Sequence, residues 1–547
     1  MNTSLIVFNS GLQTKTADHL LTDSESVECV NVNLDKGSIF PYRDWYEEVD
    51  STATGIYPYF FNNSLITNSA ATDDRHYVVF GSRLYWTNGS YSAYGIIRWN
   101  GSAGVNATPP TVTTYGDIIA TATAGGELDA TYSYVYTVVD TDGIESLPSP
   151  PQTVTPVGQA VSLNIGSVTT EVVVETVASR RIYRTGGANP TYNLVVELPA
   201  GTTTYTDVTR DIDISRTELT SLENYTPETN LTNLVLCMGT MFASVDNKIY
   251  FSKNGQPEFW NPLDYVVLED TCTGLGVFRD TVVAFTEFSA YVIRGYDAET
   301  LEMEKLPYNE GCLNSRTITS VSDNLMWTSK NGICLFDGNS VSVITRKFMS
   351  WFEYATIGDL TFDEMDTTFD GDTGYVIEAA KGLRGKYYAV HQSGMLIVDI
   401  SGQFPVSYNV SMATRGKGIY FDTYDGKLAV IDEAFDIWKF DSSANNLQAV
   451  WKTGKIAQHG VETLKQFRKV RLSAKPDYVR VWVDDSEVLY IENTQEFYLP
   501  HGCIGDTIQF EIGTSVEIKT LRYEYGVPHG RKSTKIQSAT RVAEEYY

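Results

Sequence analysis

The sequence predicts an all-β protein: a β-propeller of about six blades, carrying an inserted sandwich of the fibronectin-III or immunoglobulin kind and ending in a second β-sandwich. Three observations predict it. Short runs rich in Val, Ile, Tyr and Thr recur throughout, punctuated by hairpin turns such as Asn88-Gly89, Asn100-Gly101, Asn331-Gly332 and Asp425-Gly426. Helical periodicity is nearly absent, with modest candidates only at 299–306 and 538–547. A strand-turn-strand unit repeats from about residue 232 to 451. At 547 residues, 42% of them hydrophobic, the chain holds material for roughly three or four packed units, so seams are expected.

The N-terminal stretch, 1–60, reads as a docking segment with the first strands. The propeller is assigned to 61–109 and 213–451. Its repeats include 241–252, the pair 281–287 and 290–294, the pair 386–390 and 395–399, and the pair 427–431 and 436–440. Ser252-Lys253-Asn254-Gly255 recurs as Ser329-Lys330-Asn331-Gly332, an offset of 77 residues read as two units of about 38. An earlier copy, Leu84-Tyr85-Trp86-Thr87, matches Leu325-Met326-Trp327-Thr328. A four-stranded blade buries its two faces only against neighbouring blades, which explains why such units come in series. A run of unrelated hairpins in a sandwich is the alternative.

Residues 110–212 interrupt this rhythm. They open at Pro109-Pro110, and the succession Tyr132-Ser133-Tyr134-Val135-Tyr136, the Asp142-Gly143 turn and Ile182-Tyr183-Arg184 carries strands at sandwich spacing. Residues 452–527 read as a small sandwich with strands at 470–472, 478–483, 487–490 and 507–512. The last segment, 528–547, has no core pattern and reads as a tail or docking arm whose candidate interface residues are Arg531, Lys532, Lys535 and Arg541.

Composition excludes several functions. With 41 Lys and Arg against 68 Asp and Glu, a net charge of -27, the chain as a whole does not present the clustered cations that grip phosphate. Residues 452–547 hold 14 basic and 13 acidic side chains, whereas 1–451 hold 27 and 55, a net of -28, so the acidity belongs to the propeller and its insertion. The six cysteines, Cys29, Cys237, Cys272, Cys312, Cys334 and Cys503, form no CxxC pair and read as buried thiols of a reducing compartment. The N-terminus lacks the basic, then apolar, pattern of a signal peptide. The apolar stretch 234–245 is shorter than the roughly 18 to 20 residues that cross a bilayer.

Enzyme signatures fail: HExxH, GxSxG, GxGxxG and the phosphate-loop pattern are absent, so no catalytic, metal or cofactor site is assigned. The six histidines lie far apart in sequence. Asp73-Asp74, Asp140-Thr141-Asp142-Gly143 and Asp370-Gly371-Asp372 have the residue types of calcium loops, but also of ordinary β-turns. Ser252 to Trp260 approaches the Asp-box of sialidase-like propellers but misses its register. The abundant tyrosines read as cross-strand packing.

Two stretches carry a family resemblance. One is Asn9-Ser10-Gly11-Leu12-Gln13-Thr14-Lys15, followed by 21–29, Asn31-Val32-Asn33, Gly37 and Pro41-Tyr42-Arg43. The other is Ile249-Tyr250-Phe251-Ser252 with Pro257-Glu258-Phe259-Trp260-Asn261-Pro262. With these, the chain resembles the tail nozzle proteins of short-tailed bacteriophages, also called tail tubular protein B or packaged-DNA stabilization proteins. Ser10-Gly11-Leu12 departs from the Gly-Gly-Leu that often opens them. The resemblance implies a structural virion protein made in the host bacterial cytoplasm. It would form a homohexameric ring below the portal and adaptor (head-to-tail connector), retaining packaged double-stranded DNA and giving it an exit channel. Tail fibres or spikes are further implied partners. Two readings stay open beside it: a receptor-binding or polysaccharide-degrading tail protein, and a propeller acting as an interaction scaffold.

Overall fold

The structure, a computed structural model, describes residues 2–6, 8, 26–34, 37–48, 59–62, 64–66, 75–87, 95–101, 103–166, 172–173, 176–297, 299–345, 376–391, 394–402, 405–457 and 464–527. Among these the fold is all-β, with helical geometry confined to single turns at Ser221–Glu223 and Ser315–Thr317.

Among the described residues six four-stranded units recur, the architecture of propeller blades; in five of them the strands lie side by side in chain order. The first holds His76–Phe80, Arg83–Thr87, Ile97–Trp99 and Gly104–Asn106, and the second Thr232–Cys237, Thr240–Val245, Lys248–Phe251 and Tyr265–Val267. The third holds Gly274–Phe278, Thr281–Phe285, Ala290–Arg294 and Glu302–Lys305, and the fourth Thr319–Val321, Asn324–Ser329, Gly332–Phe336 and Val341–Val343. The fifth is Ile377–Leu383, Lys386–His391, Gly394–Asp399 and Val406–Ser411. The sixth is Gly416–Asp422, Lys427–Asp432 and Ile437–Lys439, completed on its outer side by Tyr46–Glu48 from the N-terminal region.

Blade position explains the sequence pattern. Second strands are buried along nearly their whole length, as in Thr281–Phe285, Asn324–Ser329 and Lys427–Asp432; in the fourth blade both faces meet a neighbour, Trp327 packing with the third blade and Met326 with the fifth. The outermost strand has solvent on one edge, and Glu302–Lys305 is exposed at every position. That strand corrects the helix expected over 299–306: its charged residues offer no apolar stripe, and pairing with Ala290–Arg294 satisfies the inner side of its backbone while water meets the outer. The other helix candidate, 538–547, lies outside the described residues. The apolar stretch at 234–245 is two strands joined by a turn at Met238 and Gly239, both with positive φ.

The tetrapeptide repeat is also corrected. Ser329-Lys330-Asn331-Gly332 joins the second and third strands of the fourth blade, whereas Ser252-Lys253-Asn254-Gly255 follows the third strand of the second. The 77-residue offset therefore links unlike positions. The second, third and fourth blades begin at Thr232, Gly274 and Thr319, steps of 42 and 45 residues. Both tetrapeptides serve as turns with a positive-φ glycine, Gly255 at 73° and Gly332 at 132°. The other match is positional: Leu84 to Thr87 and Leu325 to Thr328 both lie in second strands, each burying its Trp.

Two compact units divide the chain, one of Met1–Asp73, Thr273–Val292 and Glu304–Tyr547, the other of Asp74–Cys272 and Ile293–Met303. In the second unit, Tyr85, Leu234, Met241 and Trp260 share a core between the first two blades. The inserted sandwich belongs to the same unit. Its four-stranded sheet runs Gln152–Val154, Tyr132–Asp140, Val177–Gly186, Asn189–Pro199, and its three-stranded sheet Ile118–Leu128, Gln159–Ile165, Thr204–Asp207. Tyr134, Tyr136, Val161, Leu163 and Ile182 are in the core of this sandwich.

In the first unit, Phe285, Trp327 and Phe336 join the third and fourth blades, and Met326, Tyr387 and Leu396 the fourth and fifth. The terminal sandwich is built from both ends of the sequence. Asn2–Ile6 pairs antiparallel with Leu521–Gly526, which pairs with Lys465–Leu472. Ser26–Val30 pairs antiparallel with Ala449–Thr453 and, through Val30, parallel with Asn409 at the edge of the fifth blade. One nine-stranded sheet thus runs from that blade into the sandwich. The N-terminal stretch, expected as a docking segment with the first strands, has its described strands in the sandwich and the sixth blade, pairings across roughly 390 residues or more that no local pattern encodes.

Asn31 fastens this seam. Its φ is 57°, a conformation Asn tolerates better than most residues. Its backbone N–H donates to Asn409 O at 2.6 Å and its carbonyl accepts from Tyr42 N at 3.1 Å. Its Nδ2 donates to Gln448 O at 3.0 Å, and its Oδ1 accepts from Ser411 N at 2.8 Å and Ser411 Oγ at 3.0 Å. Asn31→Ala removes the amide bonds and strains the backbone, and should destabilise the first unit by about 3 kcal/mol. Asn31→Gly, which relieves the strain alone, should cost about 1 kcal/mol less; urea unfolding measures both.

His391, buried in the fifth blade, lies with Nε2 2.9 Å from Asn409 Oδ1, and burial pulls its imidazole down to about 4. The unfolded chain binds a proton near pH 6.5, so stability is full above that pH and falls as pH drops toward 4. The loss should approach about 3 kcal/mol. His391→Gln should flatten the slope of the melting midpoint between pH 6.5 and 4.5, read against the wild type.

Candidate functional site

A cleft of about 590 Å³ opens where hairpin turns of the fifth and sixth blades meet the N-terminal segment. On the fifth-blade side, Leu383-Arg384-Gly385-Lys386 turns between the first two strands with Arg384 at φ 50° and Gly385 at φ 77°, the tight hairpin that needs two positive φ values. Arg384 is exposed there and makes no ion pair among the described residues. Lys386 Nζ lies 3.3 Å from Asp399 Oδ2, while Asp399 Oδ1 accepts from Ser401 N at 2.8 Å. On the sixth-blade side, Lys427 Nζ donates to Asp441 O at 3.2 Å, and Asp441 Oδ1 accepts from Arg43 N at 2.8 Å.

Tyr42 and Phe440, 4.9 Å apart between ring centroids, are among the residues lining this cleft and are themselves buried. The lining thus carries three cations against two carboxylates in a chain of strong negative charge. Its chemistry suits an anionic group carried on an apolar body.

Elsewhere the buried charges are structural. Arg98 in the first blade pairs with Asp142 of the inserted sandwich and lies 3.6 Å from Glu258 Oε1, and Tyr85 Oη donates to the same carboxylate at 2.7 Å. Burial first, and then Glu258, hold the Tyr85 phenol above its ordinary range. Within the sandwich Arg184, fully buried, lies 2.6 Å from Asp207 Oδ2 and 3.0 Å from Asp211 Oδ1, and Tyr134 Oη donates to Asp207 at 2.8 Å.

The residues singled out in the sequence fall as follows. Asp140 Oδ1 accepts from the backbone N–H of Asp142 and Ile144, closing a turn with Gly143 at φ 82°, and Asp142 faces Arg98; this acid pair serves the turn and an ion pair. Asp73-Asp74 and Asp370-Gly371-Asp372 lie outside the described residues, as do Arg531, Lys532, Lys535 and Arg541 and the 9–15 stretch of the resemblance. The Pro257 to Pro262 stretch is framework: Trp260 Nε1 donates to Pro257 O at 2.8 Å, and Lys253 N to Phe259 O at 2.8 Å. All six cysteines are buried and none is in a disulfide. Among the described residues no group of three His, Cys, Asp or Glu is placed to hold a metal, and no helix is long and apolar enough to cross a membrane. Sequence reading missed the cleft; the Arg384-Gly385 step between two apolar strands was the one signal available for it.

No family model and no curated protein matches the chain. Solved structures that resemble it include BBS1N in complex with ARL6DN, at 10% identity and TM-score 0.30, covering 74% of this chain and 99% of that one. AztD from Citrobacter koseri follows at 10% and 0.25, covering 71% and 99%. The Neurospora crassa Pan2 WD40 domain stands at 8% and 0.27, covering 52% and 84%. At such TM-scores the likeness is general, and the β-propeller assignment rests on the blades described above.

Glu258→Ala would leave Arg98 and Tyr85 buried without their shared carboxylate. It should destabilise the second unit by about 3 kcal/mol, and Glu258→Gln, which keeps an acceptor for Tyr85, by less. Hydrogen exchange on the first two blades reads the difference.

Proposed function

We propose that this chain is a structural virion protein, a subunit of the tail nozzle ring of a short-tailed bacteriophage. Six copies would stand below the adaptor ring, retain the packaged double-stranded DNA and give it a channel for ejection. The reading rests on the sequence resemblance, and the structural observation that supports it best is the interlock of the chain ends. Strands Asn2–Ile6 and Ser26–Val30 are built into the terminal sandwich, and Tyr46–Glu48 into the sixth blade. A subunit whose N-terminal strands are laddered onto strands lying between residues 437 and 526 resists being pulled apart, because many strand hydrogen bonds must break together. That suits a wall that bears the pressure of packed DNA. The function asks for no catalytic residue; its mechanism is a mechanical change of state at subunit interfaces. An acidic channel wall would repel phosphates and let DNA slide. Tail fibres or spikes are further partners under this reading.

The cleft at Arg384, Lys386 and Lys427 favours a second reading, a propeller that acts as an interaction scaffold for an anionic partner. The two differ in mass. A nozzle subunit at micromolar concentration should give a hexamer by native mass spectrometry and a six-fold ring by negative stain, and should cleave no capsular polysaccharide. A scaffold should stay monomeric, and a stable trimer would point to the fibre or depolymerase class instead.

A further inference from the structure

The outer face of the terminal sandwich carries charge that the molecule does not neutralise. In its five-stranded sheet, cross-strand register sets two rows on one face. One runs Leu5, Arg522, Arg471, Glu496, and the other Thr3, Glu524, Lys469, Tyr498. The alternate residues Phe467, Val470, Phe497, Tyr523 and Tyr525 are buried beneath. Arg471 and Arg522 stand directly opposite each other, a like-charge placement that costs stability in a sheet.

The carboxylates do not balance this. Glu496 alone serves two cations, Lys469 Nζ at 2.5 Å and Arg471 Nε at 3.4 Å. Arg522 makes no ion pair among the described residues, and Arg468, at the bulge beside these rows, reaches only Gln466 Oε1 at 3.0 Å. Beside them Tyr498 is 71% exposed and Leu5 48% exposed. Arginines flanked by an open tyrosine and an open leucine are the composition of a protein docking patch.

We infer that this face docks onto the acidic body of a second copy of the same chain. Charge complementarity selects the occupant: residues 1–451 carry a net charge of -28, while on this face Arg468, Lys469, Arg471 and Arg522 outnumber Glu496 and Glu524. A basic patch at one end meeting an acidic body in the next copy is a heterologous contact, which closes into a ring when the rotation fits. Arg471 and Arg522 repel each other in the isolated subunit and are relieved when carboxylates of the neighbour come between them. This deepens the nozzle reading and rests on it for the ring, but the docking face is separable from the number of copies.

The test uses the full chain. Wild type and the double variant Arg471→Gln, Arg522→Gln are compared by native mass spectrometry and light scattering at low salt and at about 0.5 M salt, where screening weakens such contacts. The expected result is wild-type assembly that loosens with salt. In the variant the subunit dissociation constant should rise at least about tenfold, with the melting midpoint held or raised because the opposed arginines are gone. A variant that keeps the wild-type mass and salt response overturns the docking face while leaving the hexamer intact. A wild-type trimer that the variant dissolves supports the face and sinks the nozzle; a wild-type monomer sinks both. A 20-base-pair duplex serves as the rival anion. If the variant loses duplex binding but not assembly, the face takes phosphate and the inference falls.

Discussion

Asn31 stands where two sheets meet edge to edge. The fifth blade ends at Val406–Ser411, and the edge of a blade is an unpaired row of N–H and C=O groups that invites association. The preceding strand, Ser26–Val30, covers that edge, but its register allows only a short parallel contact at Val30 and Asn409. The chain then turns left-handed at Asn31, and the amide side chain completes what the ladder leaves open, holding Ser411 on one side and Gln448 on the other. The consequence reaches both ways. Met395, Ile397 and Val430 of the blades share one hydrophobic cluster with Trp451, Phe467 and Phe510 of the sandwich. The sandwich is therefore not an appendage on the propeller blades of this unit; its core is continuous with theirs.

Buried charge plays the matching part in the second unit. The inserted sandwich leaves the first blade after Gly104–Asn106 and returns before Thr232–Cys237, so two strands of chain connect them. A tether of that kind leaves orientation free unless contacts fix it. Arg98 to Asp142, and Asn224 Nδ2 to Glu145 O at 2.9 Å, supply directional contacts where an apolar patch would allow sliding. Glu145 is itself held by Arg181 at 2.9 Å and Tyr183 at 2.8 Å. Desolvating these groups costs free energy that the pairs offset only with good geometry, and geometry is what they contribute.

The sequence made the middle of each blade legible and the margins obscure, for a physical reason. Second strands bury both faces and so read as apolar runs; Leu84 to Thr87 and Leu325 to Thr328 were matched correctly on that basis. Outer strands have no such obligation. Glu302–Lys305 is exposed throughout, and nothing in its composition distinguishes it from a helix or a loop. Turn chemistry misled in a different way, since Ser-Lys-Asn-Gly answers a local backbone need that arises at two different places in a blade. Long-range pairing was invisible: Asn2–Ile6 carries no mark of Leu521–Gly526. The cleft was unreadable for the same reason, since Arg384 and Asp441 share its lining only because two blades stack.

Acidity in this chain has to be read by location. A net of -28 over residues 1–451 would destabilise a compact body through self-repulsion if it stood uncompensated on one surface. Carboxylates of this segment are paired within it, Asp142, Asp207 and Glu258 facing Arg98 and Arg184 while Glu310 accepts from Ser329 and Asn331 at 2.7 and 3.0 Å, but the net of -28 already counts those arginines. That excess has no partner of equal size within the chain, whose net charge is -27, and Arg468 and Arg522, which make no ion pair among the described residues, stand with Arg471 on one sheet face. Along the sequence the chain therefore separates its net acidity, in residues 1–451, from the arginine-bearing face of residues 468–522. Separation of that kind favours association with a defined orientation, because two acidic bodies repel and two basic faces repel, leaving basic face to acidic body as the arrangement that lowers the free energy.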